Sequence, residues 1–180
     1  MTDYADEIWL QRLEELRRSA NISIDAQGHW WHDQVCFEHP RIISALNTGL
    51  GWKSDAQLPQ NMSPQSCFES WEGEATVHLG TQWCYVDCDL TPFLVMKLQP
   101  DYERQSLIAI LNNRERWPLR LLGLSDDVLF TRLTNHRLAR FSVDAQAQCA
   151  EWLTQDPDNT FALVWGDQRW VIQDSLSTST

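Results

Sequence analysis

Apolar residues in positions 3–18 recur at Trp9, Leu13 and Leu16, the i, i+4, i+7 spacing of one helix face. Thr2 or Asp3 can cap such a helix, and Glu14 stands four residues before Arg18, a spacing suited to an ion pair. The pattern predicts a terminal helix docked by its Trp9 stripe, with a partner-binding helix as the alternative. The period then changes to two. Ile22-Ser-Ile and His29-Trp-Trp-His32 flank Asp25-Ala-Gln-Gly28, which predicts a hairpin with Gly28 at positive φ. His39-Pro40 opens a short helix with Ile42, Ile43 and Leu46 on its apolar face and Gly49 at its end. Residues 53–73 show no period and contain two prolines, so we read them as a mobile insertion, or else a lid.

From Glu74 onward the alternation is that of strands, over 74–79, 82–89, 93–98 and 105–111, with turns at Gly80-Thr81 and Pro100-Asp101. A further strand is expected over 117–122. Ser125-Asp-Asp-Val128 reads as the cap of a short helix, 138–143 is ambiguous, and Asp144 can cap a helix over 145–154. Phe161 to Ile172 reads as a closing hairpin turning near 165–168, before a Ser/Thr tail expected to be disordered. The expected class is α+β. Its organisation is an N-terminal helix (1–20), an α+β lobe (21–100), a β-rich lobe (101–174) and a tail (175–180). Two internal echoes bear on duplication. Ile22-Ser-Ile-Asp-Ala-Gln-Gly28 resembles Phe141-Ser-Val-Asp-Ala-Gln-Ala147, and Gly80-Thr-Gln-Trp83 resembles Gly166-Asp-Gln-Arg-Trp170. Short hairpins converge on such strings; two duplicated β-rich halves are the alternative.

Composition narrows the function classes. The 180 residues are 43% hydrophobic and 22% charged, which suits one single-core domain or two small lobes. A net charge of -11 argues against a nucleic acid polymer or an anionic membrane as partner. No apolar run reaches the roughly 18 residues of a membrane span, and the acidic start, Met1 to Glu7, is unlike a signal peptide, so a cytosolic location is expected. The five scattered cysteines are then reduced thiols.

Familiar catalytic motifs are missing: there is no phosphate loop and no Gly-x-Ser-x-Gly elbow. Cys36 and His39 stand three apart, too local for the usual nucleophile–base pair. His29, His32 and His39, with Asp33 and Glu38, are the one metal-like cluster. An odd strand spacing puts His29 and His32 on opposite faces, and Cys84 and Cys88 lie about 13 Å apart on a strand, too far for one zinc. No metal or cofactor is expected. Asp87 and Asp89 share a strand face about 7 Å apart, where a structural role competes with acid/base work. Ten tryptophans are the unusual feature, most of them expected in the core. Trp30 and Trp83 each follow a glycine turn near acidic and histidine side chains, and are the candidates to stack on a planar ligand.

Several motifs together resemble a known family. They are Ile22-Ser-Ile-Asp-x-x-Gly-x-Trp30-Trp31-His32, Pro40-Arg41 opening a helix, Val86-Asp-Cys-Asp89 leading into Thr91-Pro92-Phe93, Leu111-Asn112-Asn113, and Pro118-Leu119-Arg120. Their order over roughly residues 20–120, with the closing hairpin at Trp165-Gly166, is similar to the bacterial family called domain of unknown function 1285. The resemblance implies an α+β fold with a duplicated β-rich core and a pleckstrin-homology-like C-terminal lobe. It also implies a groove between lobes for a nucleotide-like ligand, and a signalling rather than catalytic role. The chain departs from the family's pattern at Leu90, where a second acidic residue is usual, and over 53–73.

The leading expectation is therefore a non-enzymatic, cytosolic small-molecule-binding protein. Its site residues would be Trp30 and Trp83 for stacking, Arg41 for a phosphate or carboxylate, and His32, Asp89 and Asn112 as further polar contacts. Free N–H groups at the start of the Arg41 helix would add to the anion site. The rivals are a protein-interaction module using β edges or the first helix, and a hydrolase or transferase built on His32 and Asp89. Oligomeric state is left open.

Overall fold

The structure, a computed structural model, describes residues 4–53, 74–88, 91–133 and 137–174. These residues are β-rich, with two open mixed sheets and short helices, an α+β arrangement. They form two compact units. The first comprises residues 4–53, 74–88 and 91–92; the second comprises the described residues from Phe93 onward.

The first unit opens with helix α1 (Tyr4–Arg18). Strands β1 (Ile22–Ile24), β2 (Trp30–His32) and β3 (Val35–Cys36) then form an antiparallel meander. Asp25 builds the β1–β2 turn as anticipated. Its Oδ1 accepts the backbone N–H of Gln27 and of His29, its Oδ2 accepts the Trp31 indole N–H, and Gly28 supplies φ 88°. Helix α2 (Pro40–Gly49) follows, then a second meander of β4 (Leu50–Lys53), β5 (Glu74–Leu79) and β6 (Gln82–Cys88). The β5–β6 loop has two residues, and Gly80, the first, takes φ 64° as a type II′ turn requires. The two meanders join where β1 pairs in parallel with β6, Ser23 opposite Asp87 and Ile24 opposite Cys88. The sheet order is β3-β2-β1-β6-β5-β4, and its core holds Ile24, Trp30, Leu46, Leu50, Val77 and Val86.

The second unit has three meanders. They are β7 (Leu94–Asp101), β8 (Ser106–Leu111), β9 (Arg116–Pro118); β10 (Leu122–Ser125), β11 (Val128–Arg132), β12 (Leu138–Phe141); and β13 (Leu153–Gln155), β14 (Phe161–Trp165), β15 (Gln168–Asp174). Parallel pairs again join them, β12 with β7 and β15 with β10. Helix α3 (Val143–Gln148) and a 3-10 turn (Cys149–Glu151) link the last two meanders. Meander, helix, meander, with the first strand of one closing in parallel on the last strand of the next, is thus the plan of β1–β6 and recurs in β10–β15.

The structure corrects several expected elements. Asp126-Asp127 is a hairpin turn between β10 and β11, not a helix cap; both residues have positive φ, 49° and 62°, which aspartate tolerates in a type I′ turn. Residues 117–122 are not one strand: β9 ends at Pro118, 119–121 connect, and β10 begins at Leu122. Pro100 lies inside β7, and the turn comes after it, at 102–105. Ser142, rather than Asp144, caps α3, its Oγ accepting the Ala145 N–H at 3.2 Å. The Trp9 stripe does not dock α1: Trp9 and Leu16 are 62% and 67% exposed. The segment 54–73, expected as an insertion or lid, lies outside the described residues, as does the tail.

A candidate ligand cleft around Arg41

Helix α2 lies against β5, and between its outer face and the β5–β6 turn run two adjoining clefts. The larger, an open cleft of 730 Å³, is lined by Arg41, Ser44, Thr48, His78 and Gly80, among others. The smaller, of 330 Å³, is lined by His39, Arg41, Ile42, Ala45, Leu46 and Leu79 and is almost wholly apolar. Arg41, Ala45 and Leu79 belong to both. Among the described residues, no carboxylate lines either. The floor depends on close approach: a Cβ on Gly49 would stand 2.1 Å from the carbonyl oxygen of His78.

The start of α2 differs from expectation. Pro40 brings no N–H; the Arg41 N–H donates to His39 Nδ1 at 3.3 Å; the Ile42 and Ile43 N–H groups both donate to the His39 carbonyl. The first-turn donors are therefore occupied by His39, and an anion in this cleft would be held by the Arg41 guanidinium, not by the helix end. Arg41 makes no ion pair among the described residues, so its fork of donors is unspent.

The other expected residues fall in different places. Trp30 is fully buried and its indole N–H donates to Asn47 Oδ1 at 2.9 Å, tying β2 to α2. Its ring is core and offers no face to a ligand. His32 is exposed on β2, with Nε2 3.4 Å from Asp33 Oδ2 and its ring stacked on Phe37. Trp83 is half-buried on β6. It stacks on His78 at 5.9 Å, and the Arg17 guanidinium lies 4.0 Å from its ring centre. Trp83 reaches the cleft lining through His78. Asn112, in the second unit, holds the start of β7: its Oδ1 accepts the Leu94 N–H and its own N–H donates to the Leu94 carbonyl. Asp89 lies outside the described residues. Among the described residues no group of three or more His, Cys, Asp or Glu could hold a metal ion, and no helix is long and apolar enough to cross a membrane.

His78, Leu79 and Gly80 are cleft residues that the sequence reading passed over. They read as an ordinary strand end and turn, and only the packing of α2 on β5 brings them to Arg41.

No protein-family model matches the chain, and no curated protein matches it. Solved structures do. A DUF1285 family protein from Silicibacter pomeroyi DSS-3 superposes with a TM-score of 0.57 at 10% identity, over 85% of this chain and 79% of that one. A second, from Shewanella baltica OS155, gives a TM-score of 0.48 at 12% identity, covering 74% of this chain and 92% of that one. The likeness to the first carries the assignment, and at that identity it speaks for fold alone. The fold of this chain is that of the DUF1285 family, the family its motif order resembles.

Proposed function

We propose that this chain is a non-catalytic, cytosolic protein that binds a small anionic ligand in the α2 cleft and serves a signalling role. The observation that carries the reading is Arg41: a guanidinium without an ion pair among the described residues, shared by two adjoining clefts that no described carboxylate lines, in a chain of net charge -11. The cleft volumes fall in the range of small-molecule sites. A phosphate or carboxylate would lie against Arg41, with a compact body along His78, Leu79 and Ala45. Nucleotide-like ligands remain within this class, with His78 rather than Trp30 as the ring nearest the base. The recurring meander–helix–meander plan supports a duplicated core. The pleckstrin-homology-like reading of the second unit rests on the motif resemblance.

The test is a thermal-shift screen of nucleotides and short organic acids on the wild type, Arg41→Ala and Arg41→Lys. An anion that raises the wild-type Tm should lose about 1.5–3 kcal/mol of affinity in Arg41→Ala, the usual worth of charged hydrogen bonds. Lysine should restore part of it, since it keeps the charge and loses the fork. Equal shifts in all three proteins, or no anion shifting the wild type, would remove the site.

A further inference from the structure

The two clefts beside α2 differ in chemistry, and the helix sets the difference. At 3.6 residues per turn, Ser44 and Thr48 fall on one flank and Ile42 and Leu46 on the other, with Arg41 and Ala45 on the line between them. The polar flank belongs to the larger cleft and the apolar flank to the smaller, and Leu79 at the end of β5 lines both. Ile42 and Leu79 are 44% and 49% exposed. A single exposed apolar side chain is ordinary, but these two line one cleft together with Ala45 and buried Leu46. A guanidinium without an ion pair among the described residues stands at its edge. An apolar cleft with one charge at its border fits an amphiphile.

The charge selects the head group. Arg41 is the one lysine or arginine among the described residues lining either cleft. His39 Nδ1 accepts the Arg41 N–H, so that ring nitrogen carries no proton. One guanidinium matches one carboxylate through two parallel hydrogen bonds. A phosphate dianion would bring a second negative charge into a chain of net charge -11, with no second arginine or lysine among the described lining residues to meet it.

The apolar flank selects the tail. From Arg41 to Leu46 the helix rises about 7.5 Å, the reach of an extended chain of roughly seven carbons. We infer that the ligand of this cleft is a free medium-chain carboxylic acid, its carboxylate on Arg41 and its alkyl chain along Ile42, Ala45, Leu46 and Leu79. The inference rests on the anion-binding reading above and narrows it, because the sugar and phosphates of a nucleotide would leave the apolar flank uncovered.

The test is an NMR titration of the full chain in 0.15 M salt with acetate, butanoate, hexanoate, octanoate and dodecanoate, beside octan-1-ol and AMP. Affinity should rise about threefold per methylene up to octanoate, as burial of that surface in an open cleft provides, and change by less than about threefold from there to dodecanoate. Octanoate should bind with a Kd on the order of 0.1–1 mM, the range open to a ligand of its size. Arg41→Ala should weaken it about tenfold or more, and octan-1-ol should bind the wild type about as poorly. Ala45→Leu fills the line between the flanks from an exposed helix position, where leucine is a good helix former, and should flatten the chain-length series. A flat series in the wild type, with every member weakened by Arg41→Ala, keeps the anion site and overturns the amphiphile; AMP binding more tightly than octanoate does the same. A rise that continues undiminished to dodecanoate, a series indifferent to Ala45→Leu, or octan-1-ol matching octanoate also overturns it. No binding by any carboxylate or by AMP overturns both readings.

Discussion

Gln148 of α3 uses its side-chain amide as a short piece of strand: its Oε1 accepts the Leu98 N–H at 2.9 Å and its Nε2 donates to the Leu98 carbonyl at 3.0 Å. β12 pairs with β7 only at Leu94 and Val95, so without Gln148 the backbone N–H and carbonyl of buried Leu98 would lose these partners. Gln148→Ala should cost about 1–3 kcal/mol in urea unfolding, the penalty of orphaning buried donors and acceptors; a loss below half that range would mean water replaces the amide. Gly49→Ala tests close approach instead. Alanine gains helix propensity by about 0.5–1 kcal/mol, yet its Cβ meets the His78 carbonyl at 2.1 Å. The clash wins, and we expect a net loss of about 1–3 kcal/mol by thermal unfolding, as for other overpacked sites. Neither residue was legible as important. A glutamine in a helix and a glycine at its end are common, and what gives them work is a strand far away in sequence. The tryptophans show the same limit. Of the nine described, only Trp30 and Trp170 are buried; the others are exposed or half-buried, and the indole N–H of Trp31 finds Asp25 and that of Trp117 finds Glu115.

At the scale of elements, α1 is held by charge. The hydrogen bond from Tyr85 keeps the Glu14 carboxyl below its ordinary value of 4.5, and the Arg18 fork does the same for Glu74. Groups whose folded pKa is depressed stabilise the docked helix above the ordinary value and lose that contribution as the pH falls through the lowered one. Acid should therefore release α1 below about pH 4.5 while the sheets persist, read as a rise in α1 amide exchange and a change in Trp83 fluorescence. Exchange of α1 that stays flat from pH 7 to 3 would show that other contacts hold it. Exposed ion pairs contribute little singly, so 1 M salt should act in the same direction. Element existence was largely legible: the hairpins at 22–32 and 161–172, α2, and β5 over 74–79 follow from period and glycine placement alone. The docked face of α1 was not. Its stripe has helical period, but the aromatic residues of β6 attract the arginines more specifically than Trp9 seeks cover.

At the scale of the molecule, the described residues of the second unit all lie from Phe93 onward, and each of their sheet pairings closes within the unit. A fragment starting at Phe93 should fold alone with a cooperative transition; a fragment giving only a broad, non-cooperative melt would show that the unit depends on the rest of the chain. The six strands of the first unit likewise pair only with one another among the described residues, β1 closing on β6. The recurring plan was not readable from the echoes, one of which is a coincidence of sequence, as the reading favoured. Ile22–Gly28 is a strand and turn, whereas Phe141–Ala147 runs from strand into helix. The other was informative: Gly80 and Gly166 open equivalent turns, at φ 64° and 55°. The parallel closures also set an order of events. Apart from β4 and β5, which residues 54–73 separate, each meander joins neighbours a few residues apart, while β1 must wait for Cys88 and β10 for Ile172. Loop entropy makes such distant partners late. During refolding, hairpin amides should gain protection first and the β1–β6 and β10–β15 seams last, leaving Ile24 and Leu122 as strand edges open to the wrong partner until the final step.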